Sequence, residues 1–145
     1  MSQKLQEIMT TNVATVSPQQ SVAEVAQIMS RHNIGSVPVV ENGRCVGMIT
    51  DRDITLRVTA QGQNPANTPV QSVMSTDLVT GNSQMDVHDA ASLMARHQIR
   101  RLPVVDNGKL SGIVALGDFA VQNIYQDEAG QALSSISEPA SPQQM

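Results

Sequence analysis

Apolar residues recur along this chain in two rhythms, each used twice. Val22, Val25, Ala26 and Met29 fall at helical spacing, as do Val87, Ala90, Ala91 and Met94, and each set predicts an amphipathic helix. Ser21 and Asp86 stand just ahead of them, with side chains suited to cap a helix N-terminus. After each helix, two short apolar runs flank Asn42-Gly43 or Asn107-Gly108. That dipeptide suits a type I′ hairpin because both positions tolerate positive φ. Opposite charges flank each turn, Glu41 with Arg44 and Asp106 with Lys109, and are expected to face each other across it. A short extended piece precedes each first helix, Val13 to Val16 and Leu78 to Thr80. A second helix follows each hairpin, about Asp51 to Thr59 and Asp118 to Gln126. The predicted unit is β-α-β-β-α, written twice.

The two copies are one sequence duplicated. A shift of 65 positions, with no gap, aligns Met9 with Met74, Thr11 with Thr76, Val22 with Val87 and Arg31-His32 with Arg96-His97. The same shift aligns Pro38-Val39-Val40 with Pro103-Val104-Val105, Asn42-Gly43 with Asn107-Gly108, Gly47 with Gly112 and Asp53 with Asp118. The expected organisation is a first repeat over 5–60, a polar linker over 61–69 carrying Gly62, Pro65 and Pro69, a second repeat over 70–126, and a flexible tail over 127–145. A short helical turn over Val70 to Met74 is expected to lead into the second repeat. One copy alone would expose a sheet face and the apolar sides of its helices. The expected fold is therefore a single compact α/β module, with the two repeats covering each other around a pseudo-two-fold axis.

Composition narrows the function classes. The chain has 145 residues and a formal charge of −4, so it offers no basic footprint for a nucleic-acid backbone. Tyr125 and Phe119 are the only aromatic residues, which leaves Val, Ile, Leu, Met and Ala to fill the core. Cys45 is the single cysteine and sits in an apolar run. That fits a reducing compartment and a core role rather than a nucleophile. No secretory signal or membrane-spanning run is evident, and a cytoplasmic location is expected.

The candidate chemistry gathers where a strand runs into a helix. In the first copy that junction reads Gly47-Met48-Ile49-Thr50-Asp51-Arg52-Asp53. Thr50 could donate its hydroxyl to a phosphate, and Asp53 could accept from the neighbouring hydroxyls of a ribose. The same Thr-x-x-Asp spacing also describes a capping box that needs no ligand. The second copy reads Gly112-Ile113-Val114-Ala115-Leu116-Gly117-Asp118, so the hydroxyl is lost and the carboxylate kept. Just before the paired prolines, Gly35-Ser36 becomes Arg100-Arg101, two cations that read either as a solvated strand end or as a phosphate contact. His32 and His97 close the first helices, where a structural role fits an imidazole. No catalytic triad, Gly-rich phosphate loop or zinc-like constellation stands out, so the expectation is that the chain is not an enzyme and has no metal site.

These motifs closely resemble a tandem cystathionine-β-synthase (CBS) domain pair, a Bateman module, of the small stand-alone bacterial kind. The resemblance rests on the duplicated Met-Thr/Met-Ser, Ile-Gly-Ser-Val-Pro-Val-Val and Ile-Arg-Arg-Leu-Pro-Val-Val, the Asn-Gly turns and Gly-Met-Ile-Thr-Asp-Arg-Asp, and spans about residues 5–125. It implies a non-catalytic sensor, often a homodimer, that binds AMP, ADP, ATP, S-adenosylmethionine or a related adenosyl ligand in clefts between the repeats. No cofactor is required, and the downstream protein partner is unidentified. On that resemblance Thr50 and Asp53 contact phosphate and ribose, the backbone of Leu78 and Val79 contacts the base, and Arg100 and Arg101 reach phosphates. The pseudo-symmetric site would use Asp118 with Val13, Ala14 and Ser36. It lacks the threonine at Ala115 and an arginine pair of its own, and is expected to be the weaker. The alternatives are a ligand-independent dimerisation or scaffold module, and a metal-binding stress protein using His32, His88 or His97.

Overall fold

The computed structural model describes residues 3–121. The expected end of the last helix at Gln126 and the tail over 127–145 lie outside them. The described elements are α1 (Val22–His32), β1 (Ser36–Glu41), β2 (Arg44–Thr50), α2 (Asp51–Ile54), α3 (Val87–His97), β3 (Arg101–Asp106), β4 (Lys109–Ala115) and α4 (Leu116–Val121), with short 3-10 turns at Leu5–Glu7, Pro65–Asn67 and Val70–Ser72. The fold is α/β, with antiparallel hairpins and helices. No helix among the described residues is long and apolar enough to cross a membrane.

Local chemistry sets the element boundaries. Ser21 caps α1 by accepting from the Glu24 amide, and Asp86 caps α3 by accepting from the His88 amide. Each helix ends on a left-handed residue, Asn33 or Gln98, directly after His32 or His97. The hairpin turns have positive φ at Asn42 and Gly43 (54° and 80°) and at Asn107 and Gly108 (55° and 82°), as a type I′ turn requires.

The chain gathers into two compact units that cut across the order of the copies. The first unit holds Asn12–Leu78 together with Asn107–Leu110, and the second holds Val79–Asp106 and the described residues from Ser111 onward, joined by the leading residues through Thr11. Each copy's leading segment therefore packs on the body of the other copy.

In the first unit, β1 and β2 pair antiparallel from Ser36↔Thr50 to Glu41↔Arg44, with a bulge between Val39 and Val40. Val16 adds a single parallel rung beside Val39. Met48 and Ser75 exchange main-chain hydrogen bonds at 2.9 and 2.8 Å, which lays the segment after Val70 along β2. Val70 and Val73 are buried among Val22, Val25, Val37 and Ile49. The hairpin tip Asn107–Leu110 completes this unit, where Cys45 donates its amide to the Gly108 carbonyl and Leu110 donates to that of Gly43.

The second unit repeats the scheme with its own residues. Gly81 forms the parallel rung beside Val104, and Thr10 pairs with Ile113 along β4. Leu5 is fully buried among Val87, Met94, Leu102 and Phe119. Burying a leucine from water contributes roughly 1.5–3 kcal/mol, enough to hold the leading segment in place. Larger residues on one side are met by smaller ones on the other. A β-carbon at Gly81 would lie 3.0 Å from Leu5 and 3.1 Å from Leu102, whereas the first unit sets Val16 against Val70.

Two expectations need correction. Of the extended pieces, only Val16 in Val13 to Val16 is paired, and the rung of the second copy falls on Gly81, one residue beyond Leu78 to Thr80, with a tight turn starting two residues after each rung. The helix over Asp51 to Thr59 is α-helical only through Ile54 and continues as a π turn over Thr55–Thr59, whose closing bond runs from the Ala60 amide to the Thr55 carbonyl at 2.9 Å. That wide turn places Val58 in the core and leaves Leu56 exposed. Across the first turn Glu41 and Arg44 are register partners, as expected, although no salt bridge closes across either turn among the described residues. Asp106 instead accepts from the Ser83 amide (3.1 Å), the Ser83 hydroxyl (3.0 Å) and the Ser111 hydroxyl. These uncharged donors lie closer to the carboxylate than the lysine across the turn.

Gly47 and Gly112 permit the leading segments to lie flat on β2 and β4. A β-carbon at Gly112 would stand 2.7 Å from the Thr10 carbonyl oxygen, and one at Gly47 would stand 2.7 Å from the Met74 sulfur and 3.0 Å from the Ser75 carbonyl. Gly112→Ala is expected to destabilise the protein by about 1–3 kcal/mol, and Gly47→Ala by less, because a thioether moves more readily than a backbone carbonyl. Urea unfolding measures both; wild-type stability in Gly112→Ala would rule out the close approach.

Asp106 supports a second prediction. Its hydrogen bond from Ser111, followed by those from Ser83, holds its carboxyl below the ordinary carboxylate value. The folded state then binds fewer protons than the unfolded state near pH 4. This contribution is fully present above the unfolded pKa of about 3.9 and is lost as pH falls through the lower folded value. Asp106→Asn should flatten the acid limb of a stability-versus-pH curve, and an unchanged limb would show that the three donors do not favour the charged form.

Candidate functional site

The two strand-to-helix junctions are built alike and equipped differently. In the first unit, Thr50 ends β2 and caps α2. Its Oγ1 accepts from the Asp53 amide at 3.0 Å, while Asp53 Oδ2 accepts from the Thr50 amide at 2.9 Å. This reciprocal pair is a capping box. The cap leaves chemistry unused. The Thr50 hydroxyl accepts one bond and keeps its proton to donate, and Asp53 Oδ1 lies outside the box. Ser36 is the register partner of Thr50, and the Gly35 carbonyl accepts from the Asp51 amide at 2.9 Å. The start of β1 therefore lies directly beside the junction. A β-carbon at Gly35 would stand 3.0 Å from Asp51 Oδ2, so this position is crowded for any side chain.

In the second unit only half of the box remains. Asp118 Oδ2 accepts from the Ala115 amide at 2.8 Å, with no hydroxyl to return the bond. The Arg100 carbonyl accepts from the Leu116 amide at 3.0 Å, as Gly35 does from Asp51. The arginine pair thus stands at the start of β3, beside its own copy's carboxylate. Arg100 is exposed. Arg101 is half-buried, and its Nε is buried with no hydrogen-bond partner among the described residues. A buried guanidinium nitrogen without an acceptor is costly, and a bound anion is one way to satisfy it.

The remaining residues named from the sequence divide between the units. Val13, Ala14 and Leu78 are half-buried in the first unit, and Val79 is half-buried in the second, packed against its core. The main chain at all four positions makes no hydrogen bond among the described residues. Half-buried backbone left unpaired in this way remains open to a ligand or to water.

The sequence reading passed over Arg57. Its Nε lies 3.9 Å from Asp53 Oδ1, and its NH1 donates to the Val73 carbonyl at 3.2 Å. The signal was the i,i+4 spacing from Asp53, the standard reach for a helical ion pair. The first junction therefore carries its own cation, on the helix side, while the second carries its cations on the strand side.

Cys45 is half-buried, its Sγ donates to the Gly47 carbonyl at 3.7 Å, and burial pushes its thiol above the ordinary value. A protonated thiol of this kind is not poised as a nucleophile, and Cys45, expected in the core, belongs to neither buried cluster among the described residues. Among the described residues no group of three or more His, Cys, Asp or Glu is placed to hold a metal ion.

Comparison with known proteins follows the same duplication. A family model for the CBS domain matches residues 5–59 and again 70–121. The CBS domain-containing protein YhcV of Bacillus subtilis is 57% identical over 133 residues, covering 92% of this chain and 94% of its own. Hypoxic response protein 1 of Mycobacterium tuberculosis is 30% identical over 115 residues, covering 79% of this chain and 80% of its own. A crystal structure of Hypoxic Response Protein I with two coordinated zinc ions is similar at a TM-score of 0.76 and 29% identity, over 82% of this chain and 98% of that one. A hexameric CBS-CP12 protein from bloom-forming cyanobacteria is similar at a TM-score of 0.72 and 29% identity, over 88% and 75%. The duplicated sequence, the paired junctions and these matches together show that the chain belongs to the CBS-domain family and carries a pair of CBS domains.

Proposed function

We propose that this chain is a non-catalytic regulatory module that binds an adenine nucleotide or a related adenosyl compound through its strand-to-helix junctions. The observation that carries this reading is Arg101, whose buried Nε has no acceptor among the described residues, in a unit that also holds Asp118 at its strand-to-helix junction. A cation open to an anion and, in the same unit, a carboxylate with an oxygen to spare suit a ligand that joins a phosphate to a diol. Thr50 and Asp53 offer the corresponding donor and acceptor in the first unit. The unpaired main chain of Val13, Ala14, Leu78 and Val79 suits the edge of a base, and Ser36 adds a hydroxyl. This equipment binds; it includes no nucleophile, general base or metal set that would cleave or transfer anything.

Zinc occurs in the structure of Hypoxic Response Protein I. The described donors of this chain form no comparable cluster, so our reading is nucleotide rather than metal. Self-association is part of the proposal, with a homodimer as its smallest form, since the CBS-CP12 relative is a hexamer. The ligand would act by stabilising one arrangement that a protein partner or the second copy recognises.

Ligand bound only to the folded state at a hundredfold excess over Kd adds roughly 2.7 kcal/mol. For a chain of this size that raises Tm by about 5–10 °C. A thermal-shift panel of AMP, ADP, ATP, S-adenosylmethionine and NAD is expected to contain at least one such shift, and Arg101→Gln or Asp118→Ala should reduce it. A flat response to all five, or an undiminished shift in both variants, would sink the proposal.

A further inference from the structure

Arg57 joins the turn after α2 to the Val73 main chain and faces the carboxylate of the first junction. Its NH1 is pinned by the Val73 carbonyl at 3.2 Å, and its Nε faces Asp53 Oδ1 at 3.9 Å. That gap is too long for a direct hydrogen bond, yet one oxygen about 2.8 Å from each atom fits into it. Asp53 Oδ2 is already committed to the Thr50 amide, so Oδ1 is the carboxylate oxygen left to bind. The two side chains differ in access, at 13% exposed for Asp53 and 54% for Arg57, which leaves the gap open on the arginine side. An atom placed there has to donate to Oδ1 and accept from Nε–H. A hydroxyl does both; an ether oxygen or a methylene group does not.

We propose that Asp53 and Arg57 together recognise a single ligand hydroxyl, with Arg57 as the residue that makes the first junction selective for a ribose over a deoxyribose. This rests on the adenosyl-ligand reading above and adds to it a residue and a selectivity. Position 122, the counterpart of Arg57 in the second copy, is Gln in the sequence, so the charged half of the pair belongs to the first copy alone.

The test is calorimetric titration of the full chain with AMP and with its 2′-deoxy and 3′-deoxy analogues. In the wild type, one analogue is expected to bind at least about tenfold more weakly than AMP, the loss of a charge-assisted hydrogen bond. In Arg57→Gln, where Asp53 still accepts from the hydroxyl but no guanidinium donates to it, the ratio should fall to about threefold, with the affinity for the weak analogue unchanged. Arg57→Lys keeps the charge but cannot serve the Val73 carbonyl and the hydroxyl at once, so the ratio should fall there as well; this variant decides the matter if the first does not fold. A tenfold ratio that survives in either variant, or an equal loss for all three ligands, overturns the role of Arg57 while leaving nucleotide binding in place. Failure of the wild type to bind AMP overturns both the ligand reading and this selectivity.

Discussion

The structure depends on a close approach of backbone to backbone. Each leading segment lies along the last strand of a hairpin that belongs to the other copy, and the contact is made over a glycine. Thr10 reaches Ile113 across Gly112, and Ser75 reaches Met48 across Gly47. The paired main-chain bonds at these points, between 2.8 and 2.9 Å, leave no room for a side chain on the strand beneath. The duplicated Met-Thr and Met-Ser therefore have a packing explanation. The methionine side chain covers the glycine, and the next residue supplies the rung.

This exchange also distributes the burial. Phe119 is the only aromatic ring among the described residues, and it lies in the second core. Leu5 fills the second core as Val70 and Val73 fill the first, so part of each unit's apolar contact comes from a segment outside its own copy. A duplicated chain in which each copy lacks part of its core cannot fold one copy at a time to full stability. Such an arrangement ties the two halves together through covalent connectivity and packing at once, and it explains why the two compact units are not the two repeats as counted along the sequence.

Much of this was legible in the residues. Asn-Gly imposed its turn geometry in both hairpins, the caps at Ser21 and Asp86 appeared where their side chains suit them, and the repeat period located both junctions. What stayed hidden depends on tertiary context. Periodicity says nothing of Leu5, which precedes every patterned segment and is buried only because the second core receives it. The difference between an α and a π turn over Thr55–Thr59 is one residue of hydrogen-bond register, set by which side chain must reach the core rather than by propensity. Opposite charges flanking each turn were visible, and Glu41 and Arg44 do stand in register, but the hydroxyls and amide that bond Asp106 come from Ser83 and Ser111, which no local pattern pointed to. At the junctions the residue types were visible. The missed partner, Arg57, carried a spacing signal that was outweighed by the more conspicuous doubled arginine.

The opposition between capping and ligand binding at Thr50 and Asp53 dissolves once atoms are counted. A capping box uses one lone pair of the hydroxyl and one oxygen of the carboxylate. The hydroxyl proton and Asp53 Oδ1 remain, and the cap fixes the side chains that carry them, so the entropy of ordering those groups is met during folding rather than on binding. At the second junction, Ala115 removes the hydroxyl, yet Asp118 still accepts from the amide and so keeps its orientation. The carboxylate is the part that both capping and binding need, which is a physical reason for it to be present in both copies. The hydroxyl and the placement of arginine are the parts in which the copies differ. One fold thereby presents two junctions of the same geometry but different charge arrangement, with the cation on the helix side in one and on the strand side in the other.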